Sequence, residues 1–205
     1  MINELLSAIL QILVFALIPF LVYLIKTRSV KGFLDYIGLK PSNSRANMLA
    51  LLVMLVIVIP LLTLIFLSED FKAIMINPES VTGKIRQMGL GVEAIVTIMI
   101  AAILKTSLSE EIFFRGFVAK RLIAVTNFRT GNLIQALIFG IMHTLLFMLI
   151  TNNVLFLTVI FIFPTAGAYL SVYLNEKMAN GSIIPGWIAH ASANLVSYFV
   201  VAFII

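Results

Sequence analysis

The sequence predicts an all-α polytopic membrane protein, a bundle of about six transmembrane helices with a catalytic cavity among the last four. Two features of the composition support this class. Of the 205 residues, 61% are hydrophobic and 11% are charged, whereas soluble domains average about 45–50% apolar and about 25% charged. The mean hydropathy is +1.12. A third observation is that apolar runs of roughly 20 residues, the length needed to cross a bilayer, recur along the chain.

The six predicted spans are the apolar runs at residues 5–25, 48–67, 92–108, 133–150, 154–174 and 184–205. The third is expected to continue as a helix to about residue 125. The first is expected to be a retained helix, because no basic start and no small-residue cleavage site of a signal peptide accompany it. We predict a single domain over residues 1–205, in which residues 1–90 flank a catalytic core at 91–205.

Basic residues are concentrated in two connections. Residues 26–46 carry five basic residues against one acidic residue, and three more basic residues lie within 116–131: Lys26, Arg28, Lys31, Lys40, Arg45, Lys120, Arg121 and Arg129. The positive-inside rule places both connections in the cytoplasm, so that both termini are extracytoplasmic. This pattern accounts for the net charge of +5 without a nucleic-acid partner. A short chain rich in lysine and isoleucine favours a bacterial inner membrane.

Two adjacent acids, Glu110 and Glu111, lie at the inner end of the third apolar run. An ionisable residue at membrane depth is costly unless it is paired or hydrated, so it indicates a functional site. Arg115 follows Glu111 by four residues, which predicts a bidentate ion pair on one helix face. Glu110 would point about 100° away on a regular α-helix. It would then be free to act as a general base.

The chain has two histidines, His143 and His190, and both lie within apolar runs. Phe139 precedes His143 by four residues and is predicted to pack beneath the imidazole. Asn194 follows His190 by four residues and offers a neutral donor for a developing oxyanion. Each pair alone is compatible with polar contacts that merely join helices. Together they favour a chemical site on the cytoplasmic side of the membrane.

In this order the residues form the patterns E-E-x-x-x-R, F-x-x-x-H and H-x-x-x-N. Over about residues 105–197 the chain resembles the CAAX-protease and bacteriocin-processing (Abi) family of intramembrane glutamic endopeptidases, which is related to type II CAAX prenyl proteases. The resemblance implies hydrolysis of peptide bonds in membrane-associated, prenylated or leader-type peptides, with no cofactor. The substrate and the lipid bilayer would be the partners, and the oligomeric state is left open.

The resemblance also implies roles for the residues. Glu110 and His143 would activate water, and His190 and Asn194 would stabilise the tetrahedral oxyanion. Three further residues match supporting positions of the family: Glu111, Arg115 and Phe139.

Three alternatives are compatible with the same residues. A zinc-dependent membrane protease could use Glu110, His143 and His190 as ligands, although the sequence has no H-E-x-x-H helix. A non-catalytic protein could confer bacteriocin immunity or hold a signalling partner. A proton-coupled transporter also uses buried Glu and His, but such proteins often contain two similar halves and this chain does not. Lys105, within the third span, is expected either to snorkel to the interface or to pair with an acid.

Overall fold

The computed structural model describes residues 2–205, and all regular structure within that range is helical. In chain order the helices are α1 (Ile2–Thr27), α2 (Phe33–Tyr36), α3 (Ser44–Leu67), α4 (Glu69–Met75), α5 (Val81–Gln87), α6 (Val92–Val125), α7 (Phe128–Met148), α8 (Val154–Met178) and α9 (Ile184–Phe203). Among the described residues six of them, α1, α3, α6, α7, α8 and α9, are long and apolar enough to cross a membrane. The predicted six-span helical bundle is confirmed, and the chain is a multi-pass membrane protein.

Polar caps determine where several of these helices begin. The side-chain oxygens of Asn43, Asn127 and Asn153 each accept a backbone N–H from the residue three positions later, at 2.9–3.0 Å. Such a cap satisfies one of the backbone donors that a first helical turn leaves unpaired. The caps explain why α3 and α7 begin four or five residues before the apolar runs that predicted them.

Helix α9 packs against α3 and α6, α1 packs along α6, and α7 packs against α8. Large apolar side chains on the outside of the bundle, such as Leu10, Leu13 and Leu17 of α1, are more than half exposed to the surroundings. In a bilayer these residues face lipid, where apolar exposure costs nothing. Helix α6 is covered by α1 on one side and by α9 on the other. Its polar residues can therefore lie inside the bundle, away from lipid.

Lys105 forms an ion pair with Glu4 in the first turn of α1, with Nζ and Oε1 2.8 Å apart. Both side chains are about one-quarter exposed. Of the two expectations for Lys105, pairing with an acid is confirmed. The pair joins α1 to α6. One turn further along α6, the side-chain amide of Gln11 from α1 donates to Ser109 Oγ at 3.3 Å.

The connection between α1 and α3 folds against the helix ends instead of extending away from them. Ile37 is 1% exposed and packs between Ile112 and Ile183. The backbone N–H of Ile183 donates to the carbonyl of Gly38 at 2.8 Å. Gly38 has φ +73°, and a Cβ there would lie 2.3 Å from the Gly181 carbonyl oxygen, so only glycine fits. This connection closes one end of the bundle next to α9.

Helix α6 contains two stretches with π-helical hydrogen bonding, Ile100–Leu108 and Glu111–Ala119. The wider i→i+5 turns are frequent at functional sites. In the first stretch, two backbone carbonyl groups accept hydrogen bonds from side chains. Thr106 Oγ1 donates to Ala101 O at 2.9 Å, and the indole N–H of Trp187 donates to Ile103 O at 2.8 Å. The prediction of regular α-helical spacing around the two acids is therefore wrong, because α6 is wider there.

Candidate active site

Two glutamates of α6 and one histidine of α9 form the centre of the candidate site. His190 Nδ1 lies 3.2 Å from Glu111 Oε1, and His190 Nε2 lies 3.8 Å from Glu110 Oε2. The two acids approach different nitrogens of the same ring. With Glu111 ionised, its carboxylate accepts and Nδ1 donates, so that Nε2 is the nitrogen facing Glu110.

Glu111 and Arg115 form the predicted ion pair, but the contact is not bidentate. Arg115 Nε lies 3.2 Å from Glu111 Oε1, and the two side chains are 3% and 0% exposed. Glu111 Oε1 also accepts a hydrogen bond from His190 Nδ1. The guanidinium carbon of Arg115 lies 3.9 Å from the centre of the Phe139 ring. The prediction of a bidentate pair is wrong, because the planar group faces the aromatic ring rather than both carboxylate oxygens.

Phe139 of α7 lies at the centre of this cluster. Its ring centroid is 4.3 Å from that of His143, with the rings tilted by 46°, which confirms the predicted packing of the two side chains. The centroid is 5.8 Å from that of His190 in an edge-to-face arrangement. The Phe139 carbonyl accepts from His143 Nδ1 at 2.9 Å. A carbonyl can only accept, so this bond holds the proton on Nδ1 and leaves Nε2 of His143 available.

Close approach of α8 supports α7 at this level. A Cβ on Gly140 would lie 1.9 Å from Thr165 Oγ1 and 2.8 Å from the Phe161 carbonyl oxygen of α8. Gly140 therefore allows α8 to come close to α7. Phe139 of α7 contacts Arg115 of α6 and His190 of α9.

Asn194 lies one turn beyond His190 on α9, and its amide is directed at α6. Nδ2 donates to Thr106 Oγ1 at 2.9 Å and to Ser107 Oγ at 3.2 Å. Both hydroxyls belong to the turn that precedes the two acids. The side chain is thus close to the site, but both of its amide hydrogens are engaged in joining α9 to α6.

The two acids differ in environment. Glu111 is wholly buried, whereas the side chains of Glu110 and His190 keep 17% and 13% of their surface accessible. Glu110 Oε2 has no hydrogen-bond partner. Glu111 Oε2 also lacks a hydrogen-bond partner. The two acids differ because Glu111 is ion-paired with Arg115 and accepts from His190, whereas Glu110 is the more accessible of the two.

The predicted zinc ligands are Glu110, His143 and His190. Glu110 Oε2 and His190 Nε2 lie 3.8 Å apart, and the His143 ring packs 4.3 Å from the centre of the Phe139 ring. Within residues 2–205 no three His, Cys, Asp or Glu side chains are grouped so that they could hold a metal ion.

Sequence reasoning missed several residues that build the site. Thr106 and Ser107 bind Asn194, and Asn175 Nδ2 lies with Glu111 Oε2 over Gly186. Their signal in the sequence is weak, since it amounts to a polar or small residue inside an apolar run. That signal could have marked them as interior positions but not as neighbours of particular residues of the candidate site.

Comparison with known proteins adds to this geometry. No curated protein and no solved structure matches the chain. Residues 92–196 match the family described as type II CAAX prenyl endopeptidase, Rce1-like. The matched stretch begins with α6, ends within α9 and contains every predicted site residue. Because it covers just over half of the chain, and the family was expected from the motifs, the protein belongs to the type II CAAX prenyl endopeptidase Rce1-like family.

Proposed function

We propose that the protein is an intramembrane endopeptidase of glutamic type, which hydrolyses peptide bonds of membrane-associated substrates with water activated by Glu110 and His143. Family membership supports a CAAX-type protease. The observation that carries the mechanistic proposal is that Glu110 and Glu111 reach opposite nitrogens of His190 inside the membrane bundle. Such a cluster places a proton acceptor beside a polarised imidazole, away from bulk water.

Glu110 and His143 activate the water molecule. Glu110 Oε2 has no hydrogen-bond partner, and His143 Nε2 is left available because Nδ1 donates to the Phe139 carbonyl. Water adds its oxygen to the substrate carbonyl carbon and passes a proton to Glu110. The C–N bond then breaks, and the leaving nitrogen takes that proton, so the enzyme returns to its starting state.

His190 and Asn194 stabilise the oxyanion. The proton that Glu110 takes from water would be shared with His190 Nε2, 3.8 Å from Glu110 Oε2, until the leaving nitrogen takes it. During that interval His190 would donate from Nδ1 to Glu111 and from Nε2 to the oxyanion. Asn194 would give up its longer bond, to Ser107 at 3.2 Å, and keep the 2.9 Å bond to Thr106. One amide hydrogen is then free for the oxyanion, a contact worth about 2.7–4 kcal/mol in other hydrolases.

The glutamic mechanism and the zinc mechanism differ in whether cleavage by the purified protein requires a metal ion. We favour the glutamic type, because the three candidate ligands do not form a group suited to a metal ion. Metal analysis of the purified protein, combined with a cleavage assay in chelator, tests this choice. Full activity of a metal-free sample is the expected result, and activity restored only by added zinc would contradict it.

We further propose that the protein resides in a bacterial inner membrane, with Glu110 toward the cytoplasm and both termini outside. The basic residues of the α1–α3 connection support this orientation. The chain has no cysteine, so single cysteines can report the side of the membrane. Ser29→Cys should be labelled only from the cytoplasm and Asn152→Cys only from outside. The reverse pattern would invert the proposed topology.

A non-catalytic role in bacteriocin immunity or in holding a signalling partner is the second candidate. It is favoured by one observation, namely that both amide hydrogens of Asn194 are engaged with α6 rather than free for a substrate. Cells that express Glu110→Gln distinguish the two candidate functions. A biological phenotype that survives this change indicates binding, and a phenotype lost together with cleavage indicates proteolysis.

Comparative peptidomics of membranes from cells with wild-type protein and with Glu110→Gln tests the protease directly. Peptides with prenylated or leader-type sequences should accumulate uncut in the variant. Glu79→Gln is the matched control, because that side chain is 81% exposed and lies far along the chain from the site. Identical peptide profiles in wild type and Glu110→Gln would exclude Glu110 as the base.

A further inference from the structure

Asn175 lies beside the acid–histidine pair and belongs to none of the three motifs. It is 1% exposed and occupies the last turn of α8, the π-helical turn Leu174–Met178. Its backbone carbonyl accepts the N–H of Gly181 at 2.7 Å, which holds the turn that leads into α9. A buried amide in an apolar helix requires partners, and the partners of Asn175 identify what it does.

The oxygen end of the Asn175 side chain binds the helix that carries His190. Oδ1 accepts the backbone N–H of Gly186 at 2.9 Å. Gly186 lies in the first turn of α9, where backbone N–H groups have no partner within the helix. Asn175 therefore acts as a cap supplied by another helix, and it ties the start of α9 to the end of α8.

The nitrogen end of the same side chain lies near Glu111 but is not hydrogen-bonded to it. Asn175 Nδ2 and Glu111 Oε2 are both buried, and neither has a hydrogen-bond partner. Both lie over Gly186, since a Cβ there would be 2.8 Å from Nδ2 and 2.6 Å from Oε2. An amide donor is thus the neighbour of the carboxylate oxygen that Arg115 and His190 leave unoccupied. In a dry interior such a donor attracts a carboxylate strongly.

We propose that Asn175 is a positioning residue for the Glu111–His190 pair. One end of its side chain fixes α9 at Gly186, and the other end turns the Glu111 carboxylate so that Oε1 meets His190 Nδ1. A single side chain thereby sets the separation between acid and imidazole, and it holds the proton of His190 on Nδ1. The importance of this for catalysis rests on the proposed protease function, but the geometry itself is testable without cleavage.

Asn175→Asp separates this role from simple capping. Aspartate keeps the oxygen that accepts from Gly186, and it is as good a cap as asparagine. It replaces the nitrogen by a second oxygen, which places a like charge beside Glu111. A residue that acted only as a cap would tolerate the change. A positioning residue would not, because Glu111 must then move or take up a proton, and His190 loses its acceptor.

Nitrogen-15 NMR of histidine-labelled protein in detergent micelles reads the His190 ring directly. The chain has two histidines, so His143→Gln assigns the signals. We expect wild-type His190 to carry its proton on Nδ1, and Asn175→Asp to shift the ring toward the other tautomer. The variant should also unfold about 4–8 °C lower. Asn132→Asp is the matched control. Its buried amide donates to the Tyr169 carbonyl at 3.0 Å, so it should lose stability with the His190 signal unchanged.

An exchange variant completes the test. Glu111→Gln combined with Asn175→Asp restores one acid and one amide over Gly186, and should recover at least half of the loss in melting temperature or in folded yield. Recovery supports a direct contact between the two side chains. An exchange variant that is no better than Asn175→Asp alone overturns the proposal. So does a wild-type His190 signal in Asn175→Asp, whatever its stability. Absence of peptide cleavage in all proteins would count against the protease and leave these readings standing.

Discussion

Replacing Gly186 by alanine tests whether the close contact of α9 with Glu111 holds the site together. The new methyl group would lie 2.6 Å from Glu111 Oε2 and 2.8 Å from Asn175 Nδ2. Both distances are too short for real carbon contacts, so α9 or Glu111 must shift. Overpacking of this kind costs about 1–3 kcal/mol, and disturbing a buried hydrogen-bonded charge costs about 1–3 kcal/mol more. Alanine gains about 1 kcal/mol in helix propensity.

The net loss is about 3 kcal/mol, which lowers the melting temperature by about 6–12 °C in a chain of this size. Displacement of Glu111 from His190 should also lower the cleavage rate by at least about ten-fold. Thermal unfolding in detergent and a peptide-cleavage assay measure the two effects. Gly167→Ala is the matched control, because its Cβ would meet only Ile57 at 3.7 and 4.0 Å. A Gly186→Ala protein as stable and as active as Gly167→Ala would refute the reasoning.

Three further predictions follow from the same contacts. His143→Ala and His190→Ala should each abolish cleavage while the protein stays monodisperse in detergent; turnover at the wild-type rate in either would remove that ring from the mechanism. Asn194→Ala should slow cleavage by about two to three powers of ten, and a rate within a factor of two of wild type would show that its bonds to α6 are purely structural. Glu4→Lys should lower the melting temperature by a few degrees through repulsion from Lys105. Adding Lys105→Glu should restore it, and a double variant no more stable than the single one would mean that the ion pair does not join α1 to α6.

The sequence was sufficient to predict the six spans, because hydrocarbon leaves an apolar run few alternatives. A run of about 20 apolar residues must satisfy its own backbone hydrogen bonds, so it forms a helix and crosses. The helix ends were less well predicted. Helices α3 and α7 begin several residues early, at caps formed by Asn43 and Asn127, because a polar cap belongs to the helix but not to the apolar pattern.

Parts of the site also follow from local spacing. Glu111 with Arg115, and Phe139 with His143, are four residues apart on one helix, so each pair meets as predicted. The widened turns of α6 were beyond such reasoning. They depend on side chains from other helices, such as the indole of Trp187, which donates a hydrogen bond to the Ile103 carbonyl. No local sequence pattern indicates which backbone carbonyl groups will accept such bonds.

The amino-acid sequence by itself determined the membrane class, the spans, the family motifs and the contacts within each helix, since these depend on residues only a few positions apart. Tertiary structure alone decided that both glutamates reach one imidazole, that Asn194 binds two hydroxyls of α6, and that Asn175 lies over Glu111. Those contacts join residues that are 64–88 positions apart in the chain. They depend on how closely the helices pack, and at Gly186 that closeness exists because a hydrogen atom takes the place of a methyl group.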